Sequence, residues 1–215
     1  MKITIWSDFV CPFCFIGQAN LENALKTFEH KDDVEIEYKS FQLMPDADYT
    51  PGETYAETFS KMKGIPEERA KGMFGQVTET AEKAGVEINY DIAKLTNTFD
   101  AHRVFQHARA EGKGTPFFKA LYAAHFTNGE VLNDEETLVR LSESVELDCQ
   151  TVRDIIHSDQ YAQDVNVDIS QASSLGVQGV PFFLVNDKYS ISGAQPVELF
   201  QEALDKIYAE EQAEK

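Results

Sequence analysis

The sequence predicts an α/β fold in which a β-α-β unit and a β-β-α unit are separated by a large all-helical block. Three observations carry that reading. Two alternating, β-favouring stretches, Lys2–Trp6 and Val34–Gln42, flank a segment with helical spacing. A Pro/Asp/Gly-rich run from Met44 to Gly52 breaks the pattern, and helical periodicity then dominates as far as Leu175. Beyond it the short aromatic run Val180–Val185 is followed by a turn, a second alternating run and one more helical pattern.

The elements follow in order. Ile3, Thr4, Ile5 and Trp6 make a strand, and after the loop Ser7–Val10 the pair Cys11-Pro12 opens a helix whose apolar positions Phe15, Leu21, Ala24, Leu25 and Phe28 share one face, ending near His30. Val34, Ile36, Tyr38 and Ser40 alternate on one face of a second strand. Helices are predicted over Thr54–Lys63, Pro66–Ala84, Phe99–Ala110, Pro116–Thr127, Glu135–Ser144, Thr151–His157 and Gln160–Leu175. End signals support them: Thr115 as N-cap before Pro116, and Gly85, Gly112, Gly129 and Gly176 after C-termini. Asn186-Asp187-Lys188 turns the chain between Val180–Val185 and Tyr189–Ser192. Pro196 starts a last helix to Tyr208, and the acidic tail Ala209–Lys215 is expected to fray. This order is that of a thioredoxin-like domain, residues 1–48 and 168–215, interrupted by an inserted helical domain, residues 49–167.

Composition narrows the function. The chain has 215 residues, enough to bury a full core without staples. With 37 Asp+Glu against 19 Lys+Arg the formal charge is −18, so the average surface repels phosphate backbones and anionic headgroups. Nucleic acid and membrane partners are therefore not expected. Trp6, Ser7 and Asp8 interrupt the place where a secretion signal needs an apolar core, and a cytoplasmic location is expected. Cytoplasmic thiols stay reduced, so a close cysteine pair there points to chemistry rather than to scaffolding.

That pair is Cys11 and Cys14, with Pro12-Phe13 between them, at the junction of a predicted strand and helix. In this context the spacing implies redox chemistry. Residues three apart on a first helical turn face the same side, so the sulfurs can meet. The Cys11 sulfur is expected to face the unpaired N–H groups of the helix start, which favour a thiolate, making it the attacking sulfur. Cys14, one turn inside, is the resolving thiol. A zinc site needs a second half that is absent: Cys149 stands alone, and His102 and His107 are the nearest approach to a histidine pair. No metal is expected, and Cys149 is read as a small buried residue without a role. Phe13 and its aromatic neighbours offer an apolar wall suited to extended peptides.

Pro181 cannot donate to a sheet ladder, so its place before Phe182 suggests a turn, with a cis Val180-Pro181 bond that leaves the Val180 backbone beside the cysteines for strand addition by a substrate. An ordinary trans proline at a strand end is the alternative.

Strand-then-CPFC, the FQLMP segment Phe41–Pro45, NTFDAHR at Asn97–Arg103 and GVQGVPFF at Gly176–Phe183 together resemble the DsbA superfamily. The similarity is greatest to its cytoplasmic FrnE-like branch, related to 2-hydroxychromene-2-carboxylate isomerases and kappa-class glutathione transferases, and it spans almost the whole chain. The resemblance implies a thioredoxin fold with a helical insertion, a nucleophile at Cys11, a resolving cysteine at Cys14 and a cis-proline at Pro181. It also implies that the helix carrying NTFDAHR covers the cleft, where His102 or Arg103 would bring positive charge toward the thiolate or substrate. The isomerase and transferase relatives generally carry serine where this chain has Cys11, and periplasmic DsbA has Pro-His where this chain has Pro-Phe.

The expected function is thiol-disulfide exchange with protein substrates through a mixed disulfide on Cys11, with Val180, Pro181, Phe13 and His102 as substrate-binding residues. No bound cofactor is expected beyond the Cys11–Cys14 disulfide itself, with glutathione or another cellular thiol reductant as co-substrate. The alternatives are a glutathione-dependent isomerase or transferase acting on small hydrophobic compounds, and a non-catalytic peptide-binding module.

Overall fold

The computed structural model describes residues 1–213. Strand β1 (Lys2–Ser7) runs parallel to β2 (Glu35–Ser40) and antiparallel to β3 (Phe182–Val185), which pairs antiparallel with β4 (Tyr189–Ser192). The order in the four-stranded sheet is β2-β1-β3-β4, so β1 is interior. A parallel neighbour needs a crossover, and helix α1 (Pro12–Thr27) supplies it.

Register sorts the side chains by face. Ile5 lies opposite Tyr38 and Phe183, and Ile3 opposite Val185; this face packs on α1 and on α9 (Val197–Ala213), where Phe183 meets Phe200 edge-on at 5.0 Å. The Thr4/Trp6 face is covered by α8 (Ala162–Ser174), whose Asp168 carbonyl accepts from the Trp6 indole N–H at 2.9 Å.

The helical block begins with α2 (Tyr55–Lys63) and α3 (Glu67–Ala84). Thr54 and Glu57 form a reciprocal capping box ahead of α2, a motif worth about 1 kcal/mol. The chain continues through α4 (Phe99–Ala110), α5 (Gly114–Tyr122), α6 (Glu135–Ser144) and α7 (Cys149–Ile156) to α8. Phe9, fully buried just before the cysteines, meets Phe105, Phe118 and Tyr122 edge-on at 5.7, 5.4 and 5.7 Å, so the loop after β1 is cast into the core of the helical block. Deleting such a ring costs about 3–5 kcal/mol.

Several boundaries differ from the sequence reading. The third strand starts at Phe182 rather than Val180, because Pro181 brings no N–H to the ladder, although its carbonyl still accepts from Gly193 at 2.9 Å. The helix expected from Pro116 starts at Gly114, with Lys113 rather than Thr115 as its cap; Pro116 falls within the first turn, where its missing N–H is still harmless. Its far end is a π-helical turn, Ala123–Thr127. α7 starts at Cys149 because the Asp148 side chain caps it through Thr151 N. α9 continues past Tyr208 to Ala213, where Glu210 and Glu211 hold Tyr189 and Asn186 of the β3–β4 hairpin; Glu214 and Lys215 lie outside the described residues. The expected domain boundary at residue 167 falls inside the continuous helix α8.

Candidate active site

The site forms where β1 ends and α1 begins. Cys11 is the N-cap of α1, with φ −92° and ψ 110°, and Pro12 follows in the first turn. The Cys11 carbonyl accepts from Cys14 N at 3.1 Å and Phe15 N at 3.4 Å. This closed turn sets the two free thiols beside each other. The sulfur of Cys11 donates to Val180 O at 3.5 Å, and the Val180-Pro181 bond is cis. Gly17 sets the spacing behind this contact: a Cβ there would stand 3.0 Å from Pro181 Cγ and 3.3 Å from Ala194 Cα, so the lack of a side chain lets α1 nest against the proline loop.

No helix-start N–H bonds the Cys11 side chain. Pro12 removes one amide, Cys14 N–H is taken by the Cys11 carbonyl, and a protonated thiol gives its hydrogen to an acceptor, here Val180 O. Burial is the main reason that the Cys14 thiol is pushed well above its usual range, and the adjoining Cys11 adds to it; the Ser7 hydroxyl and the Asp8 backbone pull the other way.

Cys11 and Cys14 are 2% and 1% exposed, whereas Phe13 between them is 47% exposed. Beside Val180 and Pro181 a cleft of about 380 Å³ opens, bordered by Gly176, Phe182 and Gly193. A larger groove, about 770 Å³, runs between Trp6, Lys39 and Val167 on the α8 side of the sheet and reaches neither cysteine.

The NTFDAHR segment lies against the site and sends its two basic side chains to different places. His102 is buried, with its ring 4.5 Å from Phe9 and Nε2 3.2 Å from Asp8 Oδ1; Nδ1 has no partner among the described residues. Arg103 points away, clamping the end of α7 through the carbonyls of Ile155 at 2.7 Å and Ile156 at 3.0 Å while pairing with Asp100. Thr98 is the residue of this segment that joins His102 on the same carboxylate oxygen, at 2.8 Å.

Asp8 itself was missed. Its other oxygen accepts from Leu43 N at 2.6 Å, so one buried acid ties the cysteine loop to both the FQLMP and the NTFDAHR segments. The available signal was an acid inside the otherwise uncharged stretch Ile3–Val10. Tyr122, which bonds Ser7 Oγ at 2.7 Å and donates to Asp8 O at 2.9 Å, left no local trace. Among the described residues, no group of three or more His, Cys, Asp or Glu side chains gathers as a metal site.

A four-stranded sheet of this order with two thiols at the head of the first helix defines a thioredoxin-fold protein of the dithiol type. The chain belongs to the DSBA-like thioredoxin domain family, whose model matches residues 2–205. It is 29% identical over 213 residues to the uncharacterized protein YwbO of Bacillus subtilis (strain 168), covering 95% of this chain and 96% of that one. A probable DsbA oxidoreductase of Streptomyces coelicolor superimposes with a TM-score of 0.91 at 33% identity, over 98% of this chain and 91% of that chain. The cytosolic disulfide reductase DsbM from Pseudomonas aeruginosa, solved with GSH, shares the fold at TM-score 0.69 and 13% identity, over 97% and 100% of the two chains. No described helix is long and apolar enough to cross a membrane.

Proposed function

We propose that this protein exchanges disulfides with protein substrates. The observation that carries the reading is the pair of cysteines at the head of α1, with Cys11 against the Val180 backbone. The Cys11 thiolate attacks a substrate disulfide, one substrate sulfur leaves as a thiolate, and Cys14 displaces the other from the mixed disulfide. Because Cys11 is 2% exposed, capture requires local opening of the loops around it. Val180 then offers its carbonyl to an extended substrate, and Phe13 is the first apolar surface that substrate meets. His102 acts on the site through Asp8.

The FrnE-like branch, a cytoplasmic location and glutathione as the thiol co-substrate belong to the same reading: the branch rests on the motifs named above, and a cytosolic disulfide reductase of the same fold was solved with GSH. The division into a thioredoxin-like part, residues 1–48 and 168–215, and an inserted helical part, residues 49–167, is likewise our assignment.

Insulin reduction driven by glutathione tests it. Wild type is expected to turn over, both Cys11→Ser and Cys14→Ser to lose turnover, and Cys14→Ser to accumulate a substrate adduct on Cys11 visible by mass spectrometry. Saturable glutathione binding to Cys14→Ser, with no disulfide exchange by wild type, would instead establish the isomerase or transferase chemistry.

A further inference from the structure

Beyond the end of β2 a thin piece of chain lies against the cysteine loop. Phe41 N still donates to Ser7 O at 3.0 Å and so continues the pairing of β1 with β2. After it Leu43, Pro45 and Asp46 are exposed, while Met44 and Ala47 are buried. Met44 and Ala47 pack with Val10, Tyr55 and Leu95 in an apolar cluster of their own, whereas Cys11 belongs to the main core. The seam between the two clusters therefore falls between Val10 and Cys11.

Two side chains fasten this piece down. The inner one is Asp8, fully buried, which accepts from Leu43 N at 2.6 Å and whose own carbonyl accepts from Cys11 N at 3.1 Å. The outer one is Asn97, half-buried, just ahead of α4. Its Nδ2 donates to Pro45 O at 2.6 Å, and its Oδ1 accepts from Gln42 Nε2 at 3.1 Å and from Phe99 N at 2.8 Å. Both lone pairs of Oδ1 are thus used, and a flipped amide would set donor against donor at Phe99, so the bonds themselves fix its orientation.

We propose that Asn97 is a positioning residue that latches residues 42–47 as a strap over the cysteine loop, and that release of this latch, hinged at Phe41, is the opening that admits a substrate to Cys11. This rests on the dithiol reading above, in which capture requires the loops around Cys11 to open. A half-exposed amide exchanges its bonds for bonds to water at little cost, whereas parting Met44 and Ala47 from Val10 wets apolar surface and parting Leu43 N from Asp8 wets a buried carboxylate. The outer fastening is therefore the first to yield. Because the cluster beneath the strap is separate from the main core, the strap lifts as a local opening while the sheet and α1 stay packed.

Asn97→Asp separates the latch from the start of α4: a carboxylate still accepts from Gln42 and Phe99 but has no hydrogen for Pro45 O. The test alkylates full-length reduced protein with iodoacetamide and follows Cys11 by peptide mass spectrometry, with Cys149 as the internal reference thiol. Asn97→Asp is expected to quicken Cys11 alkylation about tenfold, and Gln42→Ala, which removes one bond and adds no charge, about threefold. The Cys149 rate and the pH midpoint of Cys11 alkylation are expected to stay as in wild type. Hydrogen exchange should quicken at the Leu43 amide and not at the hinge amide of Phe41. Unchanged Cys11 alkylation in both variants would overturn the latch, as would a gain that comes with a shifted midpoint or with equally faster exchange at Phe41. Capture of oxidised glutathione on Cys11 should rise by the same factor as alkylation. If wild type never captures glutathione, the dithiol reading fails while alkylation still decides the latch.

Discussion

Two buried acids, Asp8 and Asp168, are 0% and 4% exposed and are held in opposite ways. Asp168 is met by Lys39 at 3.0 Å, Arg109 at 3.3 Å, Gln106 at 2.7 Å and the Ser40 amide at 3.0 Å, which ties α8 to β2 and α4. Asp8 meets the Leu43 amide, the Thr98 hydroxyl and the His102 ring, with no lysine or arginine among its described partners. The acid paired with cations is a clamp between elements. The acid balanced by dipoles extends its field to its neighbours: burial is the main reason that Tyr55 and Tyr122 resist ionisation, and Asp8 adds to it in both. At His125 burial lowers the pKa to about 4, and Asp8 opposes that shift.

The contrast is most easily broken at the clamp. Asp168→Ala takes the shared acceptor from Lys39, Arg109, Gln106 and the Ser40 amide, and although Glu37 still pairs with Arg109 at 2.7 Å and lies 3.8 Å from Lys39, the loss is expected to destabilise the fold by about 3–5 kcal/mol in denaturant titrations, far from the thiols. A loss under 1 kcal/mol would show that the cations reach water at little cost.

His125 sharpens the other side. Its folded pKa, about 4, lies below its ordinary 6.5. The unfolded chain therefore binds more protons between these values, and stability present above pH 6.5 falls as pH drops toward 4, by up to about 3 kcal/mol. His125→Phe should remove that component, so the difference in unfolding free energy between variant and wild type should change across this window. Parallel pH curves would refute the assignment.

The smallest effect is expected at Asp8 itself. Asp8→Asn keeps the shape, but one carboxylate acceptor becomes a donor, and the charge-assisted bond from Leu43 N becomes at best a neutral one, which should cost about 1–2 kcal/mol. Hydrogen exchange at the Leu43 amide should quicken by about tenfold or more while the Ser40 amide, held by Asp168, is unaffected. Equal responses at the two amides would erase the distinction between the acids.

The strand and helix order was readable because alternation and helical spacing are local, and because Gly85, Gly112 and Cys11-Pro12 announce ends and beginnings within a few residues. The cysteines were readable for the same reason. Asp8 was not, since its partners Leu43, Thr98 and His102 come from segments 35, 90 and 94 residues away and none forms a pattern with it. Arg103 was misjudged because a helix face cannot be told from spacing alone when both sides are buried, and the carbonyls that hold it lie at the end of α7. The extension of α9 depended on Tyr189 and Asn186, hairpin residues whose meeting with Glu210 and Glu211 is purely tertiary.

Gly17 gives the reactive end of α1 an unusual dependence. The tolerance between the sulfur-bearing turn and the proline loop is machined not at the cysteines but at a missing methyl group further along the helix, against Pro181, Phe183 and Ala194. Every side chain larger than hydrogen at that point acts as a shim, prising the loop from the nucleophile without touching either thiol.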